Sequence, residues 1–317
     1  MTAALALAER GRGRTAPNPN VGCLIVLRGR VIGRGWTQPG GRPHAEAMAL
    51  ADAGDVSGAD VYVTLEPCAH LSERGPACAG LLAAARPARV IVAMRDPDPR
   101  THGAGLARLR DAGIAVTEGI EAEAAARSMA GFLTHRQFGR PHVSLKLGLS
   151  LDGRIALASG ESRWITGPQA RAHAHLERSR HEAILVGHGT FAADAPLLDV
   201  RLNGLEERSP RRLVLASADP RAANGWEWVR TPAAIATLAN VDHLLVEGGA
   251  GGAAAFLAAD MVDRLLLYRA PILIGAGRPA IEDVGLASLA EAHGRWRLHD
   301  ARMLGSDRLE VYERLRS

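Results

Sequence analysis

Two blocks of alternating strand-like and helix-like patterns, separated by the breaker Phe138-Gly139-Arg140-Pro141, are what most limits the folds open to this chain. Proline fixes φ and lacks an N–H, so the helical pattern over Glu121 to Gln137 ends there. At 317 residues the chain exceeds one ordinary core, and the breaker divides it into expected domains of 1–140 and 141–317. In the first, a short helix (Thr2 to Arg10) precedes strands Val21 to Leu27 and Arg30 to Trp36, joined at Arg28-Gly29 as a hairpin. Helix His44 to Ala53, strand Asp60 to Leu65, helix Pro76 to Ala85, strand Ala88 to Met94, helix Gly103 to Ala112 and strand Ile114 to Glu118 follow. Such alternation predicts a mixed sheet with helices on both faces. The second block repeats the pattern, with strands at His142 to Leu147, Ala183 to Val186, Arg212 to Leu215, His243 to Val246 and Arg264 to Tyr268. Its helices are expected at Pro168 to Ser179 and Gly251 to Ala258, and Asn203 to Asn240 is its least regular stretch.

No apolar run is long enough to span a bilayer, and Thr2 to Arg10 has neither a basic leader nor a small-residue cleavage pattern, so a cytoplasmic protein is expected. Lys and Arg exceed Asp and Glu by only four, without a basic block. That argues against nucleic acid and suits a phosphorylated small molecule, whose oxygens arginine forks match. Three cysteines, Cys23, Cys68 and Cys78, are too few and odd in number for a disulfide framework. Cys23 lies in an apolar strand and reads as core.

His44-Ala45-Glu46, followed by Thr64-Leu65-Glu66-Pro67-Cys68 and by Cys78 ten positions later, has the composition of an open zinc site. One imidazole and two thiolates leave a fourth position for water, whose pKa the metal lowers. Glu46, two residues after His44, can move protons without being a ligand. A strand ending at Leu65 and a helix opening near Pro76 bring the cysteines to a helix N-terminus, which favours thiolate. The same order of elements marks zinc nucleobase deaminases, with closer cysteines than here. The wider spacing adds the loop Ala69 to Ala77.

Longer strings carry a resemblance. Pro17-Asn18-Pro19-Asn20-Val21-Gly22-Cys23, Pro43-His44-Ala45-Glu46 and Glu66-Pro67-Cys68-Ala69-His70 resemble the bifunctional riboflavin-biosynthesis deaminase/reductase family, RibD or RibG. Ser144-Leu145-Lys146-Leu147-Gly148, Ser150-Leu151-Asp152-Gly153, Ser159-Gly160-Glu161-Ser162, Trp164-Ile165-Thr166 and Val246-Glu247-Gly248-Gly249 resemble its reductase half. The resemblance implies a cytidine-deaminase-like α/β/α domain followed by a dihydrofolate-reductase-like α/β domain, a zinc ion, NADPH and a homodimer. The implied reactions are hydrolytic deamination of a diaminopyrimidinone ribosyl phosphate and reduction of the resulting aminouracil's ribose to a ribityl chain. Asn18, His70 and Arg74 are then expected to hold base and phosphate, and Ser162, Arg178, Arg201 and Glu247 the reductase substrate. Trp164, Thr190, Asp194 and the loop Gly249, Ala250, Gly251, Gly252 are expected to contact NADPH. Glycines between a strand and a helix let N–H groups approach a pyrophosphate. The GxGxxA string at Gly249 to Ala254 lacks the acid-terminated strand of a Rossmann unit, which favours the reductase-like fold.

Lys146, in an apolar strand, is either ligand-facing or snorkelling, and Arg178 and Arg201 read equally as ion-pair partners when taken alone. His173, His175, His181 and His188 show no metal spacing and are expected to be solvated or structural. Three departures from the family stand out. Thr37 replaces a histidine, the Cys68 to Cys78 loop is one residue longer, so that Arg74 aligns from Cys78, and the stretch from Arg201 to Glu247 is short. The last predicts a trimmed strand–helix portion of the reductase domain. One alternative function is therefore a deaminase whose C-terminal domain only binds or dimerises. Another is a nucleic-acid-editing deaminase, suggested by a pI near 9.4 but poorly served by 4% aromatic residues.

Overall fold

Arg28 and Gly29 both take positive φ (51° and 75°), the left-handed backbone that a two-residue hairpin connection requires. They join strands β1 (Gly22–Leu27) and β2 (Arg30–Trp36) in the expected hairpin. The computed structural model describes residues 1–70, 74–217 and 225–316, which form two units, Met1–Gly139 and Arg140–Ser317. In the first, β3 (Asp60–Val63) runs antiparallel to β1, then β4 (Arg89–Val92) and β5 (Ala115–Glu118) continue in parallel, giving the order β2-β1-β3-β4-β5. The parallel steps are bridged by α3 (Cys78–Ala85) and α4 (Ala104–Asp111).

Glycines decide how closely two further helices, α1 (Thr2–Ala8) and α2 (Ala45–Ala53), approach this sheet. A Cβ on Gly22 would lie 1.9 Å from the Ala4 carbonyl oxygen, and one on Gly35 would lie 2.0 Å from that of Ala45. Gly22 opposes Trp36 and Cys23 opposes Gly35, so α1 and α2 sit on opposite faces. The helical cover on both sides is as the sequence predicts. Cys23, fully buried under α2, is core. The expected long helix over Glu121 to Gln137 is two helices, α5 (Ala122–Ser128) and α6 (Ala130–Phe138), broken at Met129 with φ −99° and ψ 21°. Met129 is fully buried in the core, so packing overrides the continuous helical pattern.

The second unit holds an eight-stranded sheet. Its strands are β6 (His142–Leu149), β8 (Ala183–Gly187), β9 (Arg211–Leu215), β10 (Trp226–Val229), β11 (His243–Glu247), β12 (Arg264–Arg269), β14 (Trp296–Leu304) and β15 (Asp307–Arg314). The order is β10-β9-β8-β11-β6-β12-β15-β14, parallel as far as β12 and antiparallel beyond. A separate ribbon pairs β7 (Arg154–Ala156) with β13 (Arg278–Pro279). The closing hairpin β14–β15 was not anticipated, because its charged residues mask the alternation. Helix α7 (Pro168–Arg178) packs Ala170 and Ala174 against Ile184, Val186 and Leu245 on one face. Helix α9 (Ala250–Ala258) packs Ala253 and Phe256 against the other face, and α8 (His188–Asp194) follows β8 directly.

Between Arg201 and Glu247 the described residues keep the strands β9 and β10 but contain no α-helix, only 3-10 turns such as Pro232–Thr237. Because α2 rests directly on Gly35, a methyl group there forces helix and sheet apart. Gly35→Ala is expected to cost about 1–3 kcal/mol, and zinc retention measured against rising urea should fail at lower denaturant than in the parent chain.

Candidate active sites

The donor set of the first unit is assembled from three chain segments. His44 precedes α2 in an extended conformation (φ −73°, ψ 161°), Cys68 follows β3 beyond the short Thr64–Pro67 segment, and Cys78 opens α3. His44 Nδ1 lies 3.3 Å from Cys78 Sγ and 3.6 Å from Cys68 Sγ, and the Cys78 N–H donates to Cys68 Sγ at 3.3 Å. Each of the three offers a ligand atom within 4.8 Å of the others. Tetrahedral zinc with ordinary Zn–S and Zn–N bonds holds such atoms about 3.5–3.8 Å apart, so the donor set fits that ion. Hydrogen bonding from Cys78 brings the Cys68 thiol down to about 4, against burial, with further help from His44. Beside the cluster Glu46 is 3% exposed, and burial raises its carboxyl to about 7 although His44 opposes the shift.

A cavity of about 210 Å³ opens over this cluster. Asn18, His44, Glu46, Cys68, His70 and Arg74 line it, so the sequence-derived deaminase residues come together, Cys78 joining through the donor set. Asn18 Nδ2 lies 3.1 Å from His44 Nε2 and donates to the Gly41 carbonyl at 3.0 Å. His70 Nδ1 is 3.4 Å from Thr101 Oγ1, and Arg74 donates to the Gly40 carbonyl at 2.6 Å. Thr37 also lines the cavity, but its hydroxyl oxygen accepts the Val21 N–H. Part of the expected loop over the mouth, residues 71–73, lies outside the described residues.

Sequence reasoning gave Glu66 no role. Its carboxylate, 2% exposed, accepts N–H groups from Asp96, Gly103, Gly105 and Leu106 at 3.0–3.3 Å. It therefore caps the start of α4 and ties the Cys68 segment to the connection from β4 to α4. A negative charge at a helix N-terminus is favourable. Asp98, Arg100 and Arg136, which also line the cavity, were missed as well, since only the tertiary fold brings α6 beside that connection.

In the second unit, Lys146 and Glu247 are register partners on the adjacent parallel strands β6 and β11. Their charged atoms lie 3.6 Å apart, and Arg178 at the end of α7 forks the same carboxylate at 2.8 and 2.9 Å. Arg178 is thus an ion-pair partner that also faces a cavity. That cavity, of about 970 Å³, lies at the C-terminal ends of the parallel strands. Lys146, Ser162, Trp164, Arg178, Thr190 and Asp194 line it, together with Arg201, Glu247, Gly249, Ala250, Gly251 and Gly252. The exposed Arg201 pairs with Asp199 at 2.9 Å, and Trp164 is 67% exposed with Arg171 stacked 4.6 Å from its ring centre. Gly248 takes φ 135°, open to glycine alone, and the Gly249 N–H donates to Thr190 Oγ1 at 3.1 Å. Gly248 and Gly249 thus present bare backbone just before α9. Of the four histidines, His181 is buried, His173 bonds Tyr268, His175 accepts the Arg201 N–H, and His188 lines the cavity.

Aligned with known proteins, the chain is 39% identical to Escherichia coli riboflavin biosynthesis protein RibD over 355 residues, spanning 97% of this chain and 96% of that one. The chain belongs to the RibD family. Mycobacterium tuberculosis RibD is likewise 39% identical, over 94% of this chain and 91% of its own. Acinetobacter baumannii RibD superposes with a TM-score of 0.86 at 35% identity, covering 99% of this chain and 98% of its own. A Thermotoga maritima diaminohydroxyphosphoribosylaminopyrimidine deaminase/5-amino-6-(5-phosphoribosylamino)uracil reductase gives 0.88 at 30% identity, covering 99% and 97%. Residues 1–94 match the cytidine and deoxycytidylate deaminase zinc-binding region, and residues 141–309 the RibD C-terminal domain. Like those RibD proteins, the chain is a bifunctional riboflavin-biosynthesis deaminase/reductase, and its second unit has the reductase fold rather than a Rossmann one. No helix among its described residues is long and apolar enough to cross a membrane.

Glu247 offers a pH test of this RibD reductase cavity. Burial alone would raise its carboxyl, but Lys146 and Arg178 hold it at about 2, below the ordinary 4.5. The stabilisation is fully present above pH 4.5 and disappears as pH falls towards 2. Such a shift corresponds to about 3 kcal/mol. The stability advantage of the parent over Glu247→Gln should be flat from neutral pH down to the ordinary carboxylate range and shrink below it in pH-dependent urea unfolding.

Proposed function

We propose that the first cavity deaminates 2,5-diamino-6-(5-phosphoribosylamino)pyrimidin-4(3H)-one. In the same reading the second reduces the ribosyl chain of 5-amino-6-(5-phosphoribosylamino)uracil with NADPH. The observation that carries the first half is a carboxyl, Glu46, raised to about 7 by burial beside a three-donor cluster that leaves a tetrahedral position free. His44, Cys68 and Cys78 would hold zinc, which supplies the Lewis acidity that makes water a nucleophile near neutral pH. Glu46 takes a proton from the attacking water and returns it to the departing amine, so that one water is consumed and one ammonia released. Asn18 offers both donor and acceptor groups to the pyrimidine edge, while His70 and Arg74 bind the rest of the substrate.

For the second half, the Gly248 to Gly252 backbone leaves room for a pyrophosphate at the start of α9, with Thr190, Asp194 and Trp164 as further cofactor contacts. These residues would hold NADPH, which would supply the hydride that reduces ribose C1′; opening the ring there leaves the former ring oxygen in need of a proton. Lys146 supplies this proton in our reading, Glu247 and Arg178 hold it in line, and Ser162 and Arg201 bind the substrate's polar groups. The absence of α-helices among the described residues between Arg201 and Glu247 motivates a second reading, in which the C-terminal unit binds without reducing.

One reaction separates these readings. With the diaminopyrimidinone ribosyl phosphate and NADPH supplied together, ammonia should appear first and NADPH absorbance should fall after it. Constant NADPH with ammonia release would leave only the deaminase. Glu46→Gln is expected to keep its zinc, measured by metal analysis, while ammonia release drops by about 10²–10⁴-fold. Undiminished release would remove Glu46 from the proton transfer.

A further inference from the structure

The first cavity carries a charge arrangement that the chemistry of amine hydrolysis does not use. Asp98, between β4 and α4, is 4% exposed. It accepts Nε and Nη2 of Arg100 at 3.0 and 2.6 Å, and Nη2 of Arg136, from α6, at 3.0 Å. Hydrogen bonding from Arg100, opposed by burial and aided by Arg136, holds this carboxyl well below the usual range. One ionised acid therefore faces two guanidinium groups, and buried Asp96, whose carboxyl is raised to about 6 chiefly by burial, also lies near Arg136. All side-chain hydrogen bonds of Arg100 and Arg136 among the described residues go to Asp98, and none reaches Glu46 or the donor cluster.

Both guanidinium groups are held in place. That of Arg136 also lies 5.3 Å from the ring centre of Phe132, another cavity residue, so it is fixed by its edge on Asp98 and by its face on the ring. The backbone beneath Asp98 and Arg100 is secured by Glu66 through the N–H groups of Asp96 and Gly103. Surface ion pairs are ordinarily loose and worth little. Here the acid is buried while the arginine side chains remain 61% and 44% exposed, leaving their other N–H edges open. Fixed forks of this kind match the oxygens of a phosphate monoester, which carries about −1.5 to −2 charges at neutral pH. Because the forks are already ordered, little side-chain entropy is lost on binding.

We propose that Arg100 and Arg136, clamped by Asp98, read the phosphate of the substrate in the first cavity and set its preference for a phosphorylated over a dephosphorylated pyrimidine riboside. The assignment rests on the deaminase reading of that cavity and adds to the Arg74 contact, which lies on a different segment. These are specificity residues, acting on the end of the substrate that does not react.

The test compares the parent with the Arg100→Ala/Arg136→Ala double variant on the phosphorylated diaminopyrimidinone riboside and on its dephosphorylated form. Binding of ribose 5-phosphate is measured alongside by calorimetry. In the double variant KM for the phosphorylated substrate should rise about 10- to 100-fold, the range of charge-assisted hydrogen bonds. Its kcat, and kcat/KM for the riboside, should stay as in the parent. Ribose 5-phosphate binding should weaken by a similar factor, and Arg136→Lys alone should retain part of the preference. An equal loss on both substrates would mean that the arginines merely hold the loop, and an unchanged KM would likewise overturn the assignment. If the parent releases ammonia from neither substrate, the deaminase reading fails. The calorimetry still decides the arginines: weaker ribose 5-phosphate binding in the double variant supports them, and equal binding overturns them.

Discussion

A carboxylate taken out of water must be compensated by charge or by hydrogen bonds, and how four buried acids in this chain meet that demand separates their roles. Glu66 meets it with four backbone N–H groups and becomes a structural clamp. Glu247 and Asp98 meet it with cations, and each thereby fixes the direction of the arginine or lysine that partners it. Glu46 has no paired Lys or Arg among the described residues, and its carboxyl rises to about 7, where a proton is easily exchanged. Stability and reactivity here are two answers to one electrostatic problem.

Backbone approach supplies the geometry in which those acids work. Gly33 and Gly35 let α2 lie directly on β2, which sets the height of the His44 to Glu46 segment above the sheet. Gly105 lets α4 approach the Pro67 carbonyl, where a Cβ would come within 2.0 Å, and so brings Glu66 within reach of the α4 amides. The spacing of small residues thus determines where the metal donors and their supports end up.

Much of this was legible in the sequence. Alternating patterns located most strands and helices to within a few residues, because each buries one face or lies wholly inside. The His44, Glu46, Cys68 and Cys78 signal was readable because ligand chemistry restricts residue type and order. What escaped depends on tertiary contact. The break at Met129 follows from packing of a side chain with an unremarkable helical pattern. The β14–β15 hairpin is masked by charges such as Arg297, Arg302 and Glu313, which a strand with an exposed face tolerates. Glu66 accepts from N–H groups 30 to 40 residues away and Asp98 from Arg136, 38 residues away, separations that no local window reveals.

The reductase cavity draws chiefly on β6, β8 and β11, inner strands of an eight-stranded sheet, with Leu215 at the end of β9, whereas most of the helix-poor stretch lies around β9 and β10 towards one margin. Lys146 and Glu247 face one another through strand register alone, without an intervening loop. Precision at the centre is therefore decoupled from upkeep at the rim. A lineage can shorten the margin of such a sheet step by step while the reacting groups keep their alignment, and a streamlined version of the domain needs no redesign of its interior.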